Sequence, residues 1–112
     1  MPVRTNADVG RVLGTLATML ELDGANSFRV RAYREAARVI ETLPEPAEML
    51  ARTEGRLQEV KGIGRDLEAK IRDFVTRGTT GVYDELLARY PASIVELTEI
   101  PGLGPKRVKA LY

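Results

Sequence analysis

An eight-residue unit occurs twice in this chain, and each copy ends in the pattern Gly-x-Gly directly before a segment of helical periodicity. The first copy is LQEVKGIG at 57–64, and the second is LTEIPGLG at 97–104, forty positions later. Glycine permits a tight turn with positive φ and adds no side chain to it. Each copy therefore predicts a hairpin turn that leads straight into a helix. We call these turns the first hairpin (Val60 to Gly64) and the second hairpin (Ile100 to Gly104).

A hairpin of this kind can present backbone N–H groups to a phosphate. The first N–H groups of a helix have no partner within it and carry a partial positive charge, so an anion binds there favourably. Such contacts ignore the bases of a nucleic acid and depend on salt. The predicted contact residues are Gly62, Ile63, Gly64 and Arg65 in the first unit, and Gly102, Leu103, Gly104, Lys106 and Arg107 in the second. The alternative is that each Gly-x-Gly is only a tight corner between two helices.

The rest of the chain has apolar residues at helical spacing, and no stretch alternates as a strand would. The fold class we predict is all-α, a small helical bundle that contains both hairpins. Residues 1–80 are expected to form one helical domain with the first hairpin. Residues 81–112 are expected to begin a second unit, cut short within its last helix, so we expect a fragment of a longer protein.

Five details of the helices are predicted from local signals. Ser27 is expected to cap a second helix that continues to about Leu43, and Tyr33 should lie in the buried stripe of that helix. Met49 is expected to point inward from a short helix at 46–52. Ser93 is expected to cap another short helix.

Composition excludes several kinds of site. The 112 residues include no Cys and no His, which rules out disulfides, His-based triads and the common zinc sites. No apolar run approaches the roughly 18 residues of a membrane span, so we expect a soluble protein without a membrane partner.

The net charge of +1 is unevenly distributed. Segment 28–38 contains Arg29, Arg31, Arg34 and Arg38 but only one acid, Glu35. The last three arginines are spaced to share one helical face, where they form either a row facing DNA or ordinary surface ion pairs.

Longer strings of residues resemble a known family. They are SFRVRAYREAARVI at 27–40, the first hairpin, AKIRDF at 69–74 and IPGLGP at 100–105. In order and content they resemble the N-terminal region of family-X DNA polymerases, particularly the bacterial type, and both repeat units resemble helix–hairpin–helix motifs.

The resemblance implies a bacterial cytoplasmic protein, monomeric and associated with the nucleoid, that binds gapped, nicked or primer-template DNA through its backbone. It implies that the first hairpin holds the downstream strand of a gap and the second holds the primer strand. A monovalent cation at the carbonyls of residues 60, 62, 100 and 102 is a further possibility. No other cofactor is expected here, because the polymerase site with its divalent metals would lie beyond residue 112.

Some members of that family also remove an abasic sugar through a Schiff-base lysine, and Lys70 occupies the matching position. Tyr33 and Arg29 match a tyrosine and a phosphate-binding basic residue of the same site. However, Asp66 stands where lyase members have a lysine, and Val82 replaces another basic residue.

Helical spacing also places Asp66 and Asp73 on the same face as Lys70, where both would favour its charged form. Three hypotheses remain open. The chain is a DNA-binding module, an abasic-site lyase that uses Lys70, or a structural helical module that binds another protein.

Overall fold

The structure, a computed structural model, describes residues 5–98, 100–104 and 107–108. It contains six α-helices and a 3₁₀ turn: α1 Asn6–Leu22, α2 Ser27–Glu41, α3 Ala47–Leu50, the 3₁₀ turn Leu57–Glu59, α4 Arg65–Arg77, α5 Gly81–Arg89 and α6 Ala92–Leu97. No strand occurs within the described residues. The predicted all-α fold is confirmed. The expectation for Lys106 lies outside the described residues.

Helices α1 and α2 form the most extensive pair and supply most of the core. Thr5 and Asp8 form the capping box that begins α1. A four-residue connection then folds α2 back against α1, as in other helical hairpins. Leu13 of α1, Tyr33 of α2 and Phe74 of α4 are fully or almost fully buried in one cluster. The core thus places α4, and with it the first hairpin, against the α1–α2 pair.

Four local predictions were wrong in detail. The N-cap of α2 is Asn26 rather than Ser27, because its Oδ1 accepts a hydrogen bond from the Phe28 backbone N–H at 2.7 Å. Helix α2 also ends at Glu41, before Leu43.

The short helices account for the other two errors. Met49 is 54% exposed, because α3 is a single turn whose buried positions are Ala47 and Leu50. Helix α6 begins at Ala92, so Ser93 lies inside the first turn instead of capping it.

Helix α5 packs on both α1 and α4. The rings of Phe74 and Tyr83 meet edge to face with centroids 5.5 Å apart. The Asp23 carboxylate, just after α1, accepts hydrogen bonds from Arg89 at 2.7 Å and from the Tyr90 hydroxyl at 3.0 Å. The domain boundary near residue 80 stays a prediction. Among the described helices, none has the length and apolar character needed to cross a membrane.

Candidate nucleic-acid interface

The first hairpin is a short ladder of backbone hydrogen bonds. The Val60 N–H donates to the Leu57 carbonyl at 3.0 Å, and the Ile63 N–H donates to the Val60 carbonyl at 3.1 Å. Gly62 has φ +98°, a conformation in which a Cβ would be strained. Ile63 is 3% exposed and packs into the core. These contacts fix the path of the chain into α4.

The N-terminus of α4 carries no cap from a side chain. Gly64 is its N-cap residue, with φ −90° and ψ −175°, and no side chain of the described residues accepts from the first N–H groups of the helix. The other three helices of nine or more residues are capped by the side chains of Thr5, Asn26 and Thr80. The unpaired donors of α4 are thus left for water or for an anion.

The backbone angles at position 64 do not require glycine, because any residue can adopt them. A Cβ built on Gly64 would also meet no atom within 4 Å among the described residues, and the same holds for Gly104. The missing side chain at Gly64 therefore leaves the approach to the N-terminus of α4 open. By contrast, the first glycine of each hairpin is explained by its positive φ alone.

The second hairpin repeats this backbone geometry. Gly102 has φ +87°, the Leu103 N–H donates to the Ile100 carbonyl at 2.9 Å, and the Val108 N–H donates to the Gly104 carbonyl at 3.1 Å. Arg107 reaches back and donates to the Gly102 carbonyl at 3.1 Å. Lys106, also predicted to contact DNA, lies outside the described residues.

The backbone carbonyls of the two hairpins are the predicted ligands of a monovalent cation. Those of residues 60, 100 and 102 each accept a hydrogen bond within the chain, the last from a guanidinium group. A cation there stays a prediction. The described residues contain no group of three or more Asp or Glu side chains that could hold a metal ion.

Residues of α2 and α4 meet beside the first hairpin. The Tyr33 hydroxyl donates to Asp66 at 2.9 Å, and the Lys70 amine donates to the other carboxylate oxygen at 3.0 Å. The Arg29 guanidinium lies over the Tyr33 ring, 5.8 Å from its centroid. The structure therefore brings together all the residues of the predicted lyase site, with Asp66 at the centre. The side chain of Val82 is half-buried against the core.

The charges of this cluster shift two of its pKa values. The hydrogen bond from Lys70 is the main reason that the pKa of Asp66 is lowered, and the Tyr33 hydroxyl and the Arg29 charge act in the same direction against partial burial. Burial, followed by the hydrogen bond to Asp66, raises the pKa of Tyr33. Asp66 is therefore ionised at neutral pH, and the Tyr33 hydroxyl keeps its proton. Asp73, also predicted beside Lys70, makes no ion pair with a described residue.

The predicted arginine row on α2 is partly neutralised. Arg34 pairs with Glu21 of α1 at 2.6 Å, and Arg38 pairs with Glu35 one turn earlier on its own helix. Arg31 instead lies over the exposed ring of Phe28, 5.7 Å from its centroid.

Three basic residues in or beside the first hairpin make no ion pair with a described carboxylate: Arg29, Lys61 and Arg65. The same holds for Arg31 on α2. Lys61 was missed in the sequence reasoning, although its position inside the hairpin was a visible signal.

Glu68, in the first turn of α4, holds the chain that leads to the first hairpin. Its side chain is almost fully buried, with the residue 3% exposed. It accepts from the backbone N–H of Gly55 at 3.3 Å, from that of Leu57 at 3.1 Å and from Gln58 Nε2 at 2.8 Å. The hydrogen bond from Gln58 is the largest of the effects that lower the pKa of Glu68 despite its burial. We call these four residues the Glu68 network.

Two glycine hairpins that each enter a helix, within an all-α bundle, define the class of helix-hairpin-helix proteins. Residues 4–80 match the family described as helix-hairpin-helix domain. The chain belongs to that family.

A curated relative shows the same kinship over nearly the whole chain. The DNA polymerase/3'-5' exonuclease PolX of Bacillus subtilis (strain 168) is 32% identical to this chain over 109 residues. The match covers 94% of this chain but 18% of PolX, so the chain spans about a fifth of that relative's length. The resemblance to bacterial family-X DNA polymerases predicted from the sequence is confirmed.

Proposed function

We propose that this chain binds DNA without sequence preference, through the phosphate backbone, as a part of a family-X type polymerase. The observation that carries the proposal is the open N-terminus of α4, which is entered through Gly64 and has no cap from a side chain. A phosphate oxygen there would accept hydrogen bonds from backbone N–H groups and meet the positive end of the helix dipole. Membership of the helix-hairpin-helix family and similarity to a DNA polymerase support DNA as the source of that phosphate.

Unpaired basic side chains around the first hairpin support the same ligand. Lys61 lies within the hairpin and Arg65 opens α4, and both are exposed. Arg29 and Arg31 add positive charge in the first two turns of α2. Arg34 and Arg38 contribute less, since their ion pairs with Glu21 and Glu35 would have to break before either could bind a phosphate.

The form of DNA that we propose is a gapped duplex. Two hairpins of the same backbone geometry occur in one chain, and their surroundings differ in charge and packing. Two such sites suit two separate phosphate backbones better than one continuous strand. We assign the downstream strand to the first hairpin and the primer strand to the second.

Fluorescence anisotropy with labelled duplexes, intact or with a one-nucleotide gap, tests the proposal. We expect salt-dependent binding, in which each phosphate neutralised by a cation contributes about −0.9 to the slope of log K against log [salt]. Gly64→Val and Gly104→Val should each weaken binding, because a side chain then stands where the phosphate approaches. The preference for the gapped duplex should fall in both variants.

Gly81→Val is the matched control. Gly81 also opens a helix and a Cβ there would also meet empty space, but Thr80 already caps that helix. Undetectable binding at low salt, or equal losses in all three variants, would contradict the proposal and favour the alternative of a protein-interaction module.

Lys70 has no catalytic role in this proposal. Its amine donates to Asp66 at 3.0 Å. A Schiff-base nucleophile must be uncharged when it attacks, so Lys70 would have to leave this contact and lose a proton. The lyase hypothesis stays a prediction.

A further inference from the structure

Glu68 is a buried acid to which the proposed function gives no role. Its carboxylate lies beneath the loop at 54–58, with Arg72 Nη2 3.9 Å from Glu68 Oε1. Arg72 in turn donates through Nε to the Ala51 carbonyl at 3.1 Å. A buried carboxylate is costly unless its oxygens are well paired, and here they receive three hydrogen bonds from one segment. The arrangement therefore fixes that segment to α4.

The segment that Glu68 fixes is the lead-in to the first hairpin. Glu68 Oε2 accepts from the Leu57 N–H, the Leu57 carbonyl accepts from the Val60 N–H, and the Val60 carbonyl accepts from the Ile63 N–H. The backbone N–H of Glu68 also donates to the Gly64 carbonyl at 2.9 Å. A single residue is thus connected to both ends of the hairpin, through its side chain at the start and its backbone at the end.

The second hairpin shows why the first one needs such a residue. Its lead-in residue Leu97 is the last residue of α6, so a helix already orders that segment. The equivalent residue Leu57 begins only a three-residue 3₁₀ turn. The counterpart of Glu68, forty positions later, is Val108, which is buried and has no carboxylate to offer. In the first hairpin, the buried Glu68 carboxylate orders the lead-in, as helix α6 does in the second.

We propose that Glu68 is a positioning residue for the phosphate site of the first hairpin and has no such effect on the second. The inference rests on the proposed function. It predicts that Glu68→Gln, which has the same shape but one acceptor oxygen fewer, leaves the chain folded and loosens Leu57 and the hairpin. DNA affinity should fall about tenfold, the equivalent of one hydrogen bond to a charged group.

The direction of the change in DNA affinity distinguishes a positioning role of Glu68 from the effect of removing its charge. Glu59→Gln is the matched control, since Glu59 is exposed in the same lead-in and its loss removes the same charge. Removal of an acid near DNA should strengthen binding by electrostatics alone. We therefore expect Glu59→Gln to bind DNA as well as the unmodified chain or more tightly, and Glu68→Gln to bind more weakly.

A double-mutant cycle assigns the effect to one hairpin. Glu68→Gln should add little to the loss caused by Gly64→Val, because both act at the same site, and should add fully to that of Gly104→Val. A general loss of stability would not distinguish the two hairpins. Additivity with both glycine variants, or unchanged affinity in folded Glu68→Gln, would overturn the inference.

Amide hydrogen exchange tests the ordering of the first hairpin by Glu68 independently of DNA binding. Without DNA, Glu68→Gln should speed exchange at Gly55, Leu57 and Ile63 and leave Leu103 unchanged. If Glu68→Gln unfolds the chain, Gln58→Ala removes one donor of the network and should give a smaller effect at the same amides. Unchanged exchange at these amides in both variants would refute the inference. If the glycine variants leave DNA binding intact while these amides respond, the proposed function fails and the local ordering by Glu68 stands.

Discussion

The first hairpin is held by the protein on several sides, whereas the second leaves more of its apolar side chains at the surface. Leu57 and Ile63 are buried, Val60 is partly buried, and a Cβ at Gly62 would lie 3.6 Å from Val39 of α2. In the second copy, Ile100 is 47% exposed.

Other residues of the second copy follow the same trend. Leu97 is exposed and Leu103 is only partly buried, and a Cβ at Gly102 would meet no described atom within 4 Å. The same local pattern thus gives the same turn in two surroundings. The turn is set by its own glycines and backbone hydrogen bonds, while its rigidity depends on neighbours that are distant in the sequence.

The largest expected difference in stability between the two hairpins comes from truncating the apolar residue between their glycines. Ile63→Ala should lower the free energy of unfolding by about 3 kcal/mol, because it leaves a cavity in a buried site. Leu103→Ala should cost only about 1 kcal/mol, since its side chain is already partly in water. Chemical denaturation monitored by circular dichroism measures both. Equal losses would show that the two hairpins are equally supported.

The sequence predicted the repeated turn well because its causes are local. Glycine spacing, the apolar residue between the glycines and the periodicity of α4 are all visible within about twenty residues. The capping box of α1 was equally accessible, since Thr5 and Asp8 are neighbours along the chain. For α2, adjacent Asn26 and Ser27 are both good caps, and only the backbone conformation decides between them.

Two features of the site depend on residues of different elements, which the sequence does not bring together. For Arg34 the sequence left open a face toward DNA or an ion pair, and the fold decides by placing Glu21, thirteen positions earlier, beside it. Glu68 looked like an ordinary acid near a helix start, and nothing in the sequence shows that the loop at 54–58 folds over its carboxylate. Site residues and the local pair of Asp66 with Lys70 could be predicted from motifs and helical spacing, but contacts between different helices required the tertiary structure.

Substitution of the first glycine of each hairpin should have the next largest effect on the free energy of unfolding. Gly62→Ala and Gly102→Ala should each lower the free energy of unfolding by about 1 kcal/mol, because an L-residue is disfavoured at φ +98° and +87°. Gly64→Ala, at an extended backbone with open space around it, should change stability by only a few tenths of a kcal/mol. Thermal unfolding of the three variants measures this difference. A large loss in Gly64→Ala would mean that its glycine has a structural role, and would weaken the case for a phosphate there.

The smallest expected effect on the free energy of unfolding comes from a change of charge. Charge is where the two copies differ most, since Asp66 in the first corresponds to Lys106 in the second. The pKa of Asp66 is lowered in the folded state, chiefly by Lys70. Its contribution to stability is therefore present above its ordinary pKa near 4 and is lost as the pH falls through the lowered value.

Asp66→Asn tests this contribution directly. It should reduce the free energy of unfolding by less than about 1 kcal/mol at pH 7, because the Asp66 side chain is 65% exposed and solvent screens its ion pair with Lys70. The difference from the unmodified chain should shrink toward zero in acid. Denaturation at several pH values measures it, with Asp84→Asn on α5 as a control at an exposed carboxylate. A difference that persists at pH 2 would show that Asp66 supports the first hairpin through its hydrogen bonds and not through its charge.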